Sequence, residues 1–195
     1  MDGLLISGEN KEWVTAFSIN FLNFLRVEEL RVSKSKLQFV EPEVKYLGIL
    51  ISKGKWRIGF ERIEGIISLL LPETKEELRT FLGLVGYHHL WITSYALETK
   101  PLYQKLTQQE PDPFIWTIPE MQQVEKLKHL LITAPVLALP SLEQPFHFFM
   151  TVNQRVALGV LTQGHGDYQQ PVAFLSKILD PVTRGSVSYT HLTLP

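Results

Sequence analysis

The sequence predicts an α+β fold, in which a mixed first third is followed by a helical middle and a final antiparallel sheet. The helical middle centres on the stretch from Thr74 to Ile92, which has the clearest amphipathic period in the chain. Near the C-terminus, three short runs of β-branched and aromatic residues are separated by turn residues. An apolar content of 45% with a mean hydropathy of +0.03 is typical of a soluble globular chain.

The first third predicts a β-α-β-β unit. A short apolar run from Asp2 to Gly8 indicates a strand, and an amphipathic helix with an aromatic face follows from about Glu9 to Leu25. Residues 31–52 then contain two or three short β-rich runs, LRVS, KLQFV and VKYLGILIS. We therefore expect a strand hairpin here, with Leu47 and Gly48 near its start.

The central helix has a well-defined start and one clearly apolar face. Thr74 and Glu77 form an S/T-x-x-E capping box just after Pro72. Apolar residues then recur at i, i+3, i+4 and i+7, which places them on one face that packs inward. These residues are Leu78, Phe81, Leu82 and Val85.

A second face of the same helix repeats every four residues through Arg79, Gly83 and Tyr87, with Gly86 beside it. Glycine inside a helix costs about 1 kcal/mol relative to alanine and is usually accepted where something approaches the backbone closely. In one interpretation, a neighbouring helix packs against both glycines. In the other, the stripe lies along a nucleic-acid groove and the tyrosine touches it. The residues alone leave both interpretations open.

Two further helices flank the central one. Residues 58–71 are expected to be helical in part and to end at Pro72, and residues 95–108 are expected to form a short helix around a break at Pro101. The acidic, proline-bounded segment from Glu110 to Pro113 is a candidate domain boundary.

Beyond this boundary the pattern changes to one helix and several strands. A capping box from Thr117 to Glu120 opens a helix whose inward face is Met121, Val124, Leu127, Leu130 and Leu131. The three β-rich runs at 146–152, 156–163 and 171–176 predict an antiparallel meander with a first turn at Asn153-Gln154. Residues 185–195 show no period and no evident partner, so we expect an unrelated tail.

Positive charge is concentrated in one stretch, although the whole chain carries a net charge of −1. Residues 31–62 hold eight Lys and Arg against three Glu, a local net charge of +5. Such a concentration indicates a polyanionic partner. The absence of cysteine, of a membrane-length apolar run and of a signal peptide predicts an intracellular protein, cytoplasmic or nuclear, without a membrane partner.

The residues alone contain no complete catalytic or metal-binding set. Asp2 is a single carboxylate, whereas two-metal phosphoryl transfer needs several. His88 and His89 are adjacent and would point about 100° apart on a helix, so they cannot share a metal ion. The segment from Gly48 to Lys55 resembles a phosphate-binding loop, but five residues separate its glycines and Trp56 replaces the required Ser or Thr. We therefore expect no metal and no bound cofactor.

Taken in order, the motifs resemble the pol polyprotein of gammaretrovirus-like and endogenous retroviruses. They are VKYLGILIS, LPETKEELRTFLGLVGYHHLWI, PLYQKL, FIWT, LLITAPVLALP, PFHFFMTVNQRVALGVLTQ and QPVAFLSKILDPV. Each motif is weak, but the series is highly specific and covers nearly everything up to about Arg184. The resemblance implies that residues 1–60 are the end of a reverse transcriptase palm with its primer-grip hairpin, residues 61–109 the thumb, and residues 110–184 the connection or RNase H-like domain.

The same resemblance implies a nucleic-acid partner, either an RNA–DNA hybrid or a DNA duplex. Leu47 and Gly48 fall in the primer grip, and Arg79, Gly83 and Tyr87 line the minor-groove track of the thumb. Contacts to phosphate and sugar are expected from basic side chains, and they would be salt-dependent and indifferent to sequence. These side chains are Lys45, Lys53, Lys55, Arg57 and Arg79.

The sequence departs from the family at its catalytic residues. Reverse transcriptases carry Tyr-x-Asp-Asp, and here only Asp2 of that motif remains, with Gly3 in place of the second Asp. In the RNase H-like part, Thr151 stands where active enzymes place an Asp on the first strand. We therefore expect the magnesium-dependent activities of the intact enzyme to be absent. The alternatives are a remnant that binds no nucleic acid, or residual catalysis, and the oligomeric state is left open.

Overall fold

The computed structural model describes residues 4–107 and 112–179, together with the backbone of residues 192–194. Its first helix, α1, spans Lys11–Val27, close to the predicted range. The side chain of Asn10 caps it by accepting hydrogen bonds from the first turn, the shorter at 2.8 Å. The aromatic face is largely exposed, with Trp13 at 52% and Phe24 at 56%, whereas Leu25 is buried.

Three of the predicted strands are not strands in the described residues: the run from Asp2 to Gly8, LRVS and KLQFV. Residues 4–8 and 30–40 form no ladder, and Lys34–Lys36 form a short 3₁₀ turn instead. The side chain of Gln38 accepts a hydrogen bond from the backbone N–H of Lys45 and donates one to its carbonyl, both at 2.7 Å. A side chain therefore occupies backbone groups that a neighbouring strand would otherwise pair with. The prediction of a β-α-β-β unit is therefore wrong in the described part of the first third.

The first sheet contains four antiparallel strands in the order β1-β2-β3-β4. They are β1 Glu43–Tyr46, β2 Ile49–Ser52, β3 Lys55–Ile58 and β4 Leu137–Ala138. Leu47 and Gly48 form the turn between β1 and β2 with φ values of +52° and +83°, as a type I′ hairpin requires. The run VKYLGILIS is thus two strands rather than one, and the sequence did not predict β3.

The register of the first sheet separates its two faces. Lys45, Leu50 and Arg57 lie opposite one another in β1, β2 and β3, so their side chains share one face. Ile49 pairs with Ile58 on the other face, and this face packs against the core. The outer face therefore carries the basic residues of this segment.

Four further helices lie where helices were predicted, although the first of them ends at Ile67 rather than at Pro72. They are α2 Phe60–Ile67, α3 Lys75–Tyr87, α4 Tyr95–Thr107 and α5 Ile118–Ile132. A 3₁₀ turn at His89–Trp91 follows α3. Pro101 lies inside α4 and does not break it, because α4 packs against both α3 and α5 and these contacts offset one missing backbone bond. No helix in the described ranges is long and apolar enough to cross a bilayer.

One hydrophobic core joins the segments before and after residues 108–111. The predicted inward residues of α3 are at most 1% exposed. They lie in the same cluster as Val124, Leu127 and Leu131 of α5, each 0% exposed, and Leu137 of β4. The two segments that the sequence assigns to different domains therefore share their interior.

The second sheet confirms the predicted meander. Its strands are β5 Phe146–Asn153, β6 Val156–His165, β7 Tyr168–Ile178 and β8 Leu192–Leu194, in the order β7-β6-β5-β8. The first turn lies at Gln154-Arg155, where both φ values are positive, one residue later than predicted. Because β8 pairs with residues 146–148, the expectation that the segment 185–195 has no partner is wrong for residues 192–194.

Candidate nucleic-acid interface

Tyr87, the last residue of α3, joins this helix to the β1–β2 turn. Its hydroxyl donates a hydrogen bond of 3.2 Å to the backbone carbonyl of Leu47. Tyr87 and Leu47 are 50% and 54% exposed. Two candidate sites that lie 40 residues apart in the sequence are therefore adjacent on one surface.

The stripe of Arg79, Gly83 and Tyr87 lies on the outer surface of α3, and all three residues are exposed. A Cβ atom built at Gly83 would meet nothing within 4 Å. At Gly86, in contrast, it would lie 2.9 Å from the hydroxyl of Tyr95. Internal packing thus explains why residue 86 is a glycine, but it does not explain the glycine at position 83. At Gly83 the helix backbone is open to an external partner.

The two glycines of α3 should respond differently to alanine. At Gly83, alanine should raise the free energy of unfolding by about 0.5–1 kcal/mol, because its methyl group fits without a clash and alanine has a higher helix propensity than glycine. At Gly86, the same change should give no gain, because the tyrosine hydroxyl must move. Urea unfolding of both variants measures the difference. Equal gains would contradict the proposed packing.

Arg62 is part of this surface, although the sequence marks it only as one of the eight basic residues between positions 31 and 62. Its guanidinium carbon lies 6.0 Å from the centroid of the Tyr87 ring. Its side chain also crosses Gly48, where a Cβ atom would collide with the guanidinium nitrogen Nε. The N–H of Gly59 donates to the carbonyl of Gly48 at 3.0 Å, which fixes the start of α2 beside the turn. The position of Arg62 beside Tyr87 follows from this contact between Gly59 and Gly48 and is not evident from the sequence.

Some of the basic side chains that were predicted to contact phosphate form ion pairs within the protein, and others do not. Lys45 forms an ion pair with Glu61, and this hydrogen-bonded pair lowers the pKa of the Glu61 carboxyl. Arg57 pairs with Glu43 at 3.2 Å. Within the described ranges, three predicted cations form no ion pair and are exposed: Lys53, Lys55 and Arg79.

His88 and His89 have separate environments. His88 is 1% exposed, and its Nδ1 lies 3.0 Å from the carbonyl oxygen of Leu84. His89 is exposed, with its Nδ1 2.8 Å from the carbonyl oxygen of Gly86. Burial lowers the pKa of His88 below its ordinary value of 6.5; the backbone bond opposes this shift, and the nearby charge of Arg62 adds to it.

His88 should make the stability of the protein depend on pH. Because its pKa is lower in the folded state, the unfolded chain binds more protons once the pH falls below about 6.5. The free energy of unfolding should therefore decrease from that pH down through the folded pKa. His88→Asn, which keeps a donor near the Leu84 carbonyl, should remove this part of the dependence. Urea unfolding between about pH 8 and 5 tests it, and unchanged dependence in the variant would contradict it.

The described residues do not offer a ligand set for the magnesium of the intact family enzyme. No three His, Asp or Glu side chains come together as a metal site in these ranges. Asp2 lies outside the described residues. Thr151 lies exposed on β5.

Residues 116–193 match the model of the RNase H-like domain found in reverse transcriptase. This part of the chain therefore has the fold class of that domain, and the match includes most of the segment predicted as an unrelated tail. Over 185 residues, the chain is 40% identical to the Gag-Pol polyprotein of avian reticuloendotheliosis virus, covering 95% of the chain and 16% of the relative. Gibbon ape leukemia virus and baboon endogenous virus (strain M7) give 40% and 39% identity, with 95% of the chain and 11% of each Gag-Pol polyprotein covered.

Over 95% of its length the chain is homologous to a fragment of the pol polyprotein of gammaretroviruses and endogenous retroviruses. It spans about one sixth or less of these relatives. The parent family comprises reverse transcriptase and RNase H enzymes.

Solved structures share the fold. The foamy viral protease-reverse transcriptase dRH in complex with double-stranded DNA has a TM-score of 0.81 at 21% identity, covering 90% of this chain and 31% of that one. The foamy viral protease-reverse transcriptase in complex with an RNA/DNA hybrid has a TM-score of 0.78 at 21% identity, covering 90% of this chain and 24% of that one.

Proposed function

We propose that this chain binds a nucleic-acid duplex, with an RNA–DNA hybrid as the first candidate. The observation that carries the proposal is the hydrogen bond from Tyr87 to Leu47, which joins the turn and the open stripe into one exposed surface. In this proposal, residues 1–60 correspond to the end of the palm, residues 61–109 to the thumb, and residues 110–184 to the connection or RNase H-like domain.

The unpaired cations contribute most of the phosphate contacts in this proposal. Lys55 lies on the outer face of the first sheet, Lys53 lies in the β2–β3 turn, and Arg79 begins the stripe. Lys45 and Arg57 contribute less, because each must first exchange a carboxylate partner. The resulting binding is electrostatic and does not read base sequence.

The open stripe supplies the groove contact. Gly83 lets the sugar-phosphate surface approach the backbone of α3, and the exposed ring of Tyr87 touches the groove. Leu47 and Gly48 adjoin this contact at the end of the hairpin. An RNA–DNA hybrid suits such a surface because A-like helices present a wide, shallow minor groove with 2′-hydroxyl groups.

We also propose that the chain does not catalyse polymerisation or RNA cleavage and uses no metal ion in binding. Asp2 is a single carboxylate in the position of a motif that needs two, and Thr151 replaces the carboxylate expected on the first RNase H strand. Two-metal phosphoryl transfer requires several converging carboxylates.

The second candidate is an interaction module that binds another protein and no nucleic acid. The exposed aromatic face of α1 favours it, since the Trp13 and Phe17 rings stack at a centroid distance of 5.1 Å and are 52% and 44% exposed. Large exposed apolar patches often mark contact surfaces.

Fluorescence anisotropy of a labelled RNA–DNA hybrid, titrated at several salt concentrations, tests the first proposal. The logarithm of the binding constant should fall linearly with the logarithm of salt concentration. Lys55→Gln should weaken binding and reduce the slope by about one. Lys177→Gln, the same charge change on β7 of the second sheet, is the matched control and should leave the slope unchanged. No binding by folded protein at low salt would favour the second candidate.

A further inference from the structure

We infer that Arg62 is a second phosphate anchor of the duplex site, and that Arg62 and Arg79 hold the two backbones on either side of one A-like minor groove. This inference rests on the proposed function. It assigns to the site a residue outside the primer-grip turn and the thumb stripe, and it names the duplex form that the site prefers.

Arg62 is exposed and is positioned by its neighbours. The missing side chain of Gly48 makes room for its stem, and the Tyr87 ring lies beneath its guanidinium at 6.0 Å. Arg62 forms no ion pair with any described residue, whereas Lys45 and Arg57 in the same segment are each paired with a glutamate. A guanidinium that makes a cation–π contact and no ion pair keeps its N–H donors available for a phosphate group.

The length of the stripe, which separates Arg79 from the end where Arg62 lies, favours a duplex with a wide minor groove. Arg79 and Tyr87 are eight residues apart on α3, which corresponds to about 12 Å along the helix axis. Arg62 lies at the Tyr87 end of this stripe. The minor groove of B-DNA is only about 6 Å wide, whereas that of A-form helices is wide and shallow. The open backbone at Gly83 lies between the two cations and faces the groove.

Arg62→Met tests the inference, because methionine keeps an unbranched apolar stem beside Gly48 and removes the charge. Anisotropy titrations of an RNA–DNA hybrid and a DNA duplex of the same sequence should show about tenfold weaker hybrid binding, with the salt slope reduced by about one. The loss on the DNA duplex should be smaller. Arg62→Lys should recover part of the hybrid affinity. Lys177→Met removes one exposed positive charge from β7 of the second sheet, outside the proposed binding surface, and should have little effect.

The outcomes separate this inference from the proposed function. If the unmodified protein does not bind the hybrid, both fail. If it binds with a steep salt dependence but Arg62→Met behaves like Lys177→Met, the role of Arg62 is overturned and the proposed function stands. Weaker binding with an unchanged salt slope would show that Arg62 has a structural role and would overturn its assignment as a phosphate anchor. Equal losses on the hybrid and the DNA duplex would overturn the assignment of the A-like groove.

Discussion

Replacing Arg79 and Tyr87 together with alanine should weaken binding of an RNA–DNA hybrid by roughly 10- to 100-fold. Arg79 is exposed and carries no ion pair among the described residues, so its loss removes one phosphate contact. Tyr87→Ala removes both the exposed ring and the hydrogen bond to Leu47 that holds α3 against the β1–β2 turn. Anisotropy titration at two salt concentrations measures both the affinity and the lost phosphate contact.

Two control variants identify the cause of this loss. Tyr87→Phe keeps the ring and removes only the hydroxyl, so it should retain more affinity than Tyr87→Ala if the ring itself touches the groove. The double variant Lys177→Ala, Tyr168→Ala removes an exposed cation and an exposed tyrosine from β7 and should leave binding nearly unchanged. If both double variants lose the same affinity, the stripe on α3 is not the binding surface.

Replacing Lys105 with alanine should lower the free energy of unfolding by about 2–4 kcal/mol, because it removes a fully buried side chain and one partner of a partly buried ion pair. The Lys105 side chain is only 1% exposed. Its ammonium donates to the Ile115 carbonyl at 3.0 Å and to Glu120 at 3.2 Å, and it lies 5.2 Å from the centroids of the Phe114 and Trp116 rings. Alanine leaves a cavity and removes the donor from the Ile115 carbonyl and the Glu120 carboxylate. Urea unfolding measures the change.

Lys105→Met separates charge from volume. Methionine fills much of the same space, so this variant should lose less stability than Lys105→Ala. The pH dependence gives a second test. Burial raises the pKa of Glu120, but hydrogen bonds from Thr117 and Lys105 outweigh this effect and lower the pKa below 4.5. The stability from this carboxylate is therefore present above about pH 4.5 and is lost as the pH falls through the lowered pKa. A negligible loss in Lys105→Met would contradict a role for the buried charge, whereas equal losses in the two variants would assign the whole effect to the charge and its hydrogen bonds.

The sequence predicted secondary structure correctly where interactions between residues close in the chain determine it. The cap at Thr74 accepts a hydrogen bond from Glu77, and the apolar period of α3 predicted its buried face. The final meander followed from alternating residues and turn signals. In contrast, the runs LRVS and KLQFV have strand composition but form no ladder, because the side chain of Gln38 instead binds the backbone of Lys45 in β1. Composition does not report such a contact.

The candidate site depended more on tertiary contacts. The sequence identified the stripe on α3 but could not separate Gly83 from Gly86, because the hydroxyl of Tyr95 decides between them and belongs to the next helix. It did not identify Arg62, whose position follows from the contact of Gly59 with Gly48. Pairing of Lys45 and Arg57 with glutamates was also invisible in a count of charges.

The interior shared by α3 and α5 has a mechanical consequence for the surface above it. Strand β4, which follows α5, completes the first sheet by pairing with β3, and the N–H of Leu139 donates to the carbonyl of Gly54 at 2.8 Å. The RNase H-like segment therefore acts as the scaffold that orients the helix and hairpin of the proposed duplex site. A fragment cut between these segments would expose Leu78 and Leu127 together, so the two segments should unfold as one cooperative unit.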